Sequence, residues 1–222
     1  MSEPISATQF HESDGLEDWR VLAEGALVFF RTGTLAESAR LMHAISEIAG
    51  IDEHPPAIDV RAGGVTVRLI SVTDEYFGMT DRDAEVARQI SEVASRAGVT
   101  ADPSALQSWL IIPGAPDIAA VMPFWRAVLG YEPRPDSPEE DLVDPRDRGP
   151  AVWLEEMAQP RPDGGGAIHV AVWVPPEEAQ ARVAAALAAG GRVVRDEFAP
   201  TWWTLADAAG NEADIATIAG RD

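Results

Sequence analysis

The chain contains no cysteine. That excludes disulfides, thiolate catalysis and cysteine-bound zinc together, and gives no reason to place the protein outside the cytosol. Positive charge is also scarce: Lys and Arg total 17 against 37 Asp and Glu, a formal charge of 17 − 37 = −20. Such a surface repels phosphodiester backbones and anionic lipid, so neither nucleic acid nor a membrane surface is expected as a partner. No apolar run approaches the roughly 20 residues a spanning helix needs. The start MSEPISATQFHESDG lacks the basic-then-apolar order of a secretory signal. The expectation is a cytoplasmic protein.

Apolar residues make up 46% of the 222 positions, enough for one large core or for two domains of about 100 residues. Residues 105–131 organise the C-terminal half. Leu106, Trp109, Leu110, Ile111 and Ile112 form a strand-like run that Pro113, Gly114 and Pro116 are expected to end. Asp117 can cap a helix whose Val121, Phe124, Trp125, Val128 and Leu129 recur at three and four residues until Gly130 stops it. Residues 167–174 and 176–189 repeat the order of strand and helix, ended by Gly190 and Gly191. This half reads as a pair of βαβββ modules. The Pro- and acid-rich stretch 132–148 between them suits an exposed loop in which only Leu142 and Val143 make a strand, and residues 159–166 suit a linker.

Toward the N-terminus the first dozen residues are polar and expected to be loose, with room for a short helix before Asp18. A hairpin around Glu24 and Gly25 follows. Thr34 with Glu37 forms a T-x-x-E capping box for a helix running to Gly50. Ile58 and Val60, then Val65, Val67 and Leu69, alternate about Gly63 and Gly64 as a second hairpin. Thr80 with Asp83 opens a helix with Val86, Ile90 and Val93 inward, closed by Gly98. The fold class is α+β, with a four-stranded antiparallel N-terminal sheet bearing helices on one face. Residues 101–104 are the natural joint, giving domains 1–101 and 104–222.

These residues carry two resemblances. Leu16-x-x-Trp19, the helix running into Asp52-Glu53-His54-Pro55, the hairpin after it, and Gly78-Met79-Thr80-x-x-Asp83 resemble pterin-4a-carbinolamine dehydratases over about residues 10–98. The family pattern has His-His-Pro, a third His at the end of the last strand, and an Asp three residues after the final Thr or Ser. Here the first position is Glu53, the second His54, the third falls near Val72, and Asp83 fits the Asp. The second half, about 104–219, resembles the glyoxalase/bleomycin-resistance (vicinal oxygen chelate) superfamily. It does so through Pro123-Phe124-Trp125-x-x-Val128-Leu129-Gly130-Tyr131, Ile168-His169, and residues 206–212 before the last strand.

The first resemblance implies a 4a-hydroxytetrahydrobiopterin dehydratase-like lyase, weak because two family imidazoles are missing. Its catalytic candidates are His54, Glu53 and Asp83, with His54 and Glu53 as acid and base. The competing structural reading makes Glu53-His54 a solvated turn whose loss costs little stability, and Asp83 a carboxylate favoured at any helix start. In the second domain His169, Glu155, Trp203 and Asp214 are the expected ligand-binding residues. His169 opens a strand, Asp214 lies on the last one, and of the adjacent Trp202 and Trp203 one faces a groove and one the core. Trp203 is taken as the groove member. The opening strand offers only Trp109 or Leu110 where a metal ligand would stand, so no metal and no cofactor are expected. A metal-free ligand-binding or regulatory protein is the alternative, and a metal-dependent glyoxalase or dioxygenase ranks third. The expected partners are a small molecule, with a pterin the leading case, and a second copy of the chain.

Overall fold

The structure, a computed structural model, describes residues 2–23, 25–157, 168–206 and 212–221. Glu24 of the first turn, the linker 159–166 and residues 207–211 of the motif before the last strand lie outside them, as do the side chains of Phe124 and Val128. The chain is a mixed α+β protein that divides into two compact units, residues 1–72 with 76–106, and residues 107–221 with 73–75.

In the first unit α1 (Ala7–His11) is capped by a reciprocal Ser6–Gln9 box and buries Phe10 completely. β1 (Arg20–Leu22) and β2 (Gly25–Arg31) form the first hairpin. α2 (Leu35–Ser46) is capped by Thr34 and leads through a 3-10 turn (Ile51–Glu53) to β3 (Ala57–Arg61) and β4 (Gly64–Leu69). A small hairpin, β5 (Ser71–Thr73) with β6 (Tyr76–Gly78), precedes α3 (Asp81–Arg96) and β7 (Thr100–Ala101). The sheet order is β1-β2-β4-β3, all antiparallel, with β7 also on β2. β2 begins at Gly25 because φ there is +118° and a Cβ would lie 2.3 Å from the Leu69 carbonyl oxygen. Trp19, Phe30, Leu41, Ile45 and Ile90 fill the core.

Three expectations are corrected here. The sheet has five strands, because the chain at the supposed joint continues pairing: Thr100 and Ala101 bond to β2, the Asp102 N–H donates to Phe29 O at 2.8 Å, and the Asp102 carboxylate pairs with Arg31. The β5–β6 hairpin is additional. The N-terminus is tied down, not loose. Ile5 N–H donates to Met79 O, Asp81 N–H donates to Glu3 O, and Glu3 N–H donates to the Asp81 carboxylate.

The second unit holds a nine-stranded sheet. β8 (Ser108–Ala115) and α4 (Ile118–Leu129) are followed by β9 (Glu132–Arg134), β10 (Ser137–Val143), β11 (Val152–Trp153) and β12 (Glu155–Glu156). β13 (Ile168–Trp173) and α5 (Pro176–Ala188) are followed by β14 (Arg192–Arg195), β15 (Trp202–Ala206) and β16 (Glu212–Ala216). β8 and β13 pair antiparallel at the centre; β8 is parallel to β11 and β12, and β13 is parallel to β16. Asp117 caps α4 and Gly130 ends it in the left-handed conformation. One face of the sheet is covered by the helices. Ala179 and Val183 of α5 pack on Val174, Trp203, Leu205 and Ile215, and Val121, Trp125 and Leu129 of α4 pack on Leu142, Val152 and Leu154.

β8 runs through Pro113 and Gly114 instead of stopping there, since β12 supplies a partner at Gly114 and Ala115. The supposed loop 132–148 contains the β9–β10 hairpin with a register shift between Ser137 and Leu142. Its prolines and acids are compatible with a strand because β9 is the edge of the sheet, where Pro133, opposite Leu142, is tolerated without an N–H, and because Arg134 neutralises Asp136 at 2.6 Å and Asp141 at 3.0 Å.

Candidate functional site

In the first unit the site is built at the start of α3. Asp83 is the third residue of that helix and completes a capping box with Thr80. Its carboxylate is fully buried. Oδ2 accepts the Thr80 N–H at 2.7 Å, the Thr80 hydroxyl at 2.8 Å and the Ser71 hydroxyl at 2.7 Å, while Oδ1 lies 2.7 Å from His54 Nε2. His54 follows the 3-10 turn, and its side chain is 19% exposed. It is not a solvated turn residue: it holds the buried Asp83 carboxylate while keeping part of its ring open to solvent. Tyr76 lies close by, donating to Met79 O at 2.5 Å; burial, helped by the Asp83 charge, pushes its phenol up.

Glu53 does not join this group. It is exposed on the 3-10 turn beside Gly50, and bonds to neither His54 nor Asp83. Val72 is 48% exposed on β5. The structure thus brings together His54 and Asp83 of the three expected residues, and adds Ser71, whose place beside Val72 was the only sequence signal for it. Of the other histidines, His11 accepts the Val21 N–H at 3.3 Å, and His43 is an exposed residue 4.0 Å from Glu47.

In the second unit the sheet face opposite the helices lines a cavity of about 620 Å³. His169, Ala171 and Trp173 alternate into it from β13, Leu110 and Ile112 from β8, Asp214 and Ala216 from β16, and Trp153 and Glu155 from β11 and β12. His169 Nε2 is 3.2 Å from Asp214 Oδ2, both side chains being buried. Burial opposes charge on the imidazole. The hydrogen bond to Asp214 and the charges of Asp214, Glu155 and Glu212 outweigh it and raise the His169 pKa.

Three of the four expected residues therefore line one cavity. Trp203 is the correction: it is 8% exposed and packs beneath α5, so Trp202 is the groove member of the pair. Trp202 stacks on Phe198 at 4.2 Å, and the Arg221 guanidinium lies 4.5 Å from the Trp173 ring and 5.5 Å from that of Trp202. Trp173, four residues past His169, was legible from the period-2 pattern of β13. Arg221 and Phe198 carried no sequence signal. A resident metal does not fit here: β8 faces His169 with Ile112, and among the described residues no three His, Asp or Glu side chains gather as ligands.

The family described as Pterin 4 alpha carbinolamine dehydratase matches residues 3–93, and the family described as Glyoxalase-like domain matches residues 109–216. A comparison with curated proteins gives no match. Similar solved structures include a glyoxalase/bleomycin resistance protein/dioxygenase superfamily member from Vibrio splendidus 12B01, 18% identical, covering 50% of this chain and 99% of that one, with a TM-score of 0.34. Another is a glyoxalase-related enzyme from Fulvimarina pelagi, 24% identical, covering 49% and 85%, with a TM-score of 0.23. A third is an NAD-dependent benzaldehyde dehydrogenase from Legionella pneumophila, 13% identical, covering 49% and 97%, with a TM-score of 0.37. With scores this low, the assignment rests on the two family matches and the residues that carry them: the chain is a pterin-4a-carbinolamine dehydratase-like domain fused to a glyoxalase-like domain.

Proposed function

We propose that the N-terminal domain is a slow pterin-4a-carbinolamine dehydratase in which His54 is the acid–base group and Asp83 its positioning residue. The observation that carries this reading is the 2.7 Å contact between His54 Nε2 and the buried Asp83 carboxylate. A carboxylate so placed holds the proton on Nε2, leaves Nδ1 as the nitrogen able to take a proton, and stabilises the imidazolium that forms when it does. Dehydration breaks the C4a–oxygen bond and the ring N–H bond, and makes a C=N bond and water. His54 would accept the ring nitrogen's proton and return it to the departing hydroxyl. Glu53 points elsewhere and Val72 carries no proton, so a single group does both jobs.

One well-placed acid or base is worth about 10² to 10⁴ in rate, so turnover should exceed the uncatalysed reaction modestly. The test is carbinolamine dehydration followed against the uncatalysed rate, with His54→Gln beside the parent. Gln can still donate to Asp83 but cannot shuttle a proton. Acceleration that disappears in His54→Gln at unchanged melting temperature supports the reading. A parent that gives no acceleration, or a variant as active as the parent, ends it. The cavity of about 620 Å³ around His169 and Asp214 favours a second role beside it, with the C-terminal domain as a metal-free small-molecule binding domain.

A further inference from the structure

Among the described residues, the buried side-chain polar atoms left without a hydrogen-bond partner are Ser108 Oγ, Trp153 Nε1, Trp173 Nε1, Thr204 Oγ1 and Asp214 Oδ1. All of them belong to one face of one sheet. Trp153, Trp173 and Asp214 line the cavity. Ser108 is directly opposite Trp173 on the neighbouring strand, and Thr204 is directly opposite Asp214; residues so paired point to the same side. Buried polar groups in folded proteins are nearly always satisfied, and each orphan destabilises the empty protein. Unsatisfied atoms gathered on the cavity face, with the helix-covered face of the same sheet holding none of them, mark a surface shaped for something that supplies the missing partners.

The orphans specify that partner. Two indole N–H groups need acceptors, and the buried Asp214 carboxylate needs a donor. Trp153 and Trp173 stand edge to face at 6.2 Å, and Trp202 stacks on Phe198, so the walls are aromatic and favour a flat ligand. The Arg221 guanidinium already lies over Trp173 and Trp202, which illustrates what these walls accept: a planar group bearing N–H. Charge argues against an anion, since five carboxylates (Glu140, Asp141, Glu155, Glu156, Asp214) face three guanidiniums in the lining, within a chain of net charge −20.

We infer that the C-terminal cavity binds an uncharged or cationic planar heteroaromatic molecule, its ring carbonyls accepting from the Trp153 and Trp173 indoles and a ring N–H donating to Asp214. This deepens the binding role given above for that domain, and it is independent of the dehydratase chemistry at His54. The probe is lumichrome, a neutral tricycle with two ring carbonyls and ring N–H groups, titrated into the full chain and followed by tryptophan quenching and equilibrium dialysis. Its N-methylated analogue, which keeps the carbonyls and loses the N–H donors, should bind about tenfold more weakly, the loss of one hydrogen bond to a charged acceptor. Trp153→Phe and Trp173→Phe, which keep a ring and delete one donor each, should each weaken lumichrome by about tenfold. Their unliganded melting temperatures should equal or exceed that of the parent. Anthraquinone-2-sulfonate, equally flat but anionic, should bind more weakly than lumichrome.

The inference is overturned if lumichrome does not bind the parent at its solubility limit, if the methylated analogue binds as tightly, or if the sulfonate binds better. The methylated analogue is tested on the parent, so the outcome does not depend on either variant folding. His54→Gln should bind lumichrome like the parent. Loss of carbinolamine turnover with this binding pattern intact would count against the dehydratase reading alone.

Discussion

Asp83 shows how one side chain can serve the fold and the chemistry through different oxygens. Oδ2 takes the donors that start α3, and Oδ1 holds the imidazole. Asp83→Ala would strand the Ser71 and Thr80 groups at a buried helix start, and should destabilise the N-terminal unit by about 2–4 kcal/mol, read as a fall in its chemical-denaturation midpoint. His54→Ala would leave the Asp83 carboxylate short of one donor and should cost about 1–3 kcal/mol, whereas His54→Gln should cost little. Equal stability for the Ala and Gln variants would show that the contact carries no weight. His169 gives a pH dependence. Its folded pKa is raised above the ordinary value of about 6.5. The stability it contributes is therefore fully present below that value and is lost as pH rises through the higher folded value. Thermal unfolding of the parent followed as pH rises from the ordinary value of about 6.5 should show a decline attributable to this group, and His169→Gln should flatten it.

At the scale of elements, the caps were legible and the pairings less so. Thr34, Thr80, Asp117 and Gly130 end or begin helices where their local chemistry requires, because a cap depends on neighbours within four residues. The β9–β10 hairpin was not legible: Pro133, Pro138 and a run of acids read as loop, and the compensation comes from Arg134, which reaches Asp136 and Asp141 and lies 5.8 Å from the Trp153 ring. β7 escaped notice because two residues carry no period. The dyad of His54 and Asp83 was legible from motif positions, but the rejection of Glu53 was not, since a turn of one residue more or less decides which way a side chain points. Trp203 was misassigned because alternation says that neighbours face apart without saying which faces in. Arg134→Met tests the hairpin's dependence on that guanidinium. Burial already pushes the Asp141 carboxyl up against the pull of Arg134, and losing the cation should destabilise the C-terminal unit by about 1–3 kcal/mol near neutral pH, with a smaller loss as acid protonates the carboxyl.

For the molecule as a whole, each candidate site draws its residues from a single compact unit. Fragments 1–106 and 107–222 should each be soluble and melt cooperatively when expressed alone; a fragment without a cooperative transition would refute their independence. The cut is placed after Leu106, not at 101, because β7 and Asp102 belong to the first sheet. The double duty of Asp83 also bears on the chain's history. Replacements at the exposed positions 53 and 72 disturb no core, so drift can discard imidazoles there at once, while selection for folding alone resists any change at 83. A lineage that had stopped dehydrating pterins would keep its aspartate all the same. At position 54 the fold would accept glutamine, and only proton transfer asks for an imidazole. In a set of descendants, the residue at 54, and not the one at 83, would separate the lineages still under selection for the reaction from those that inherited only its scaffold.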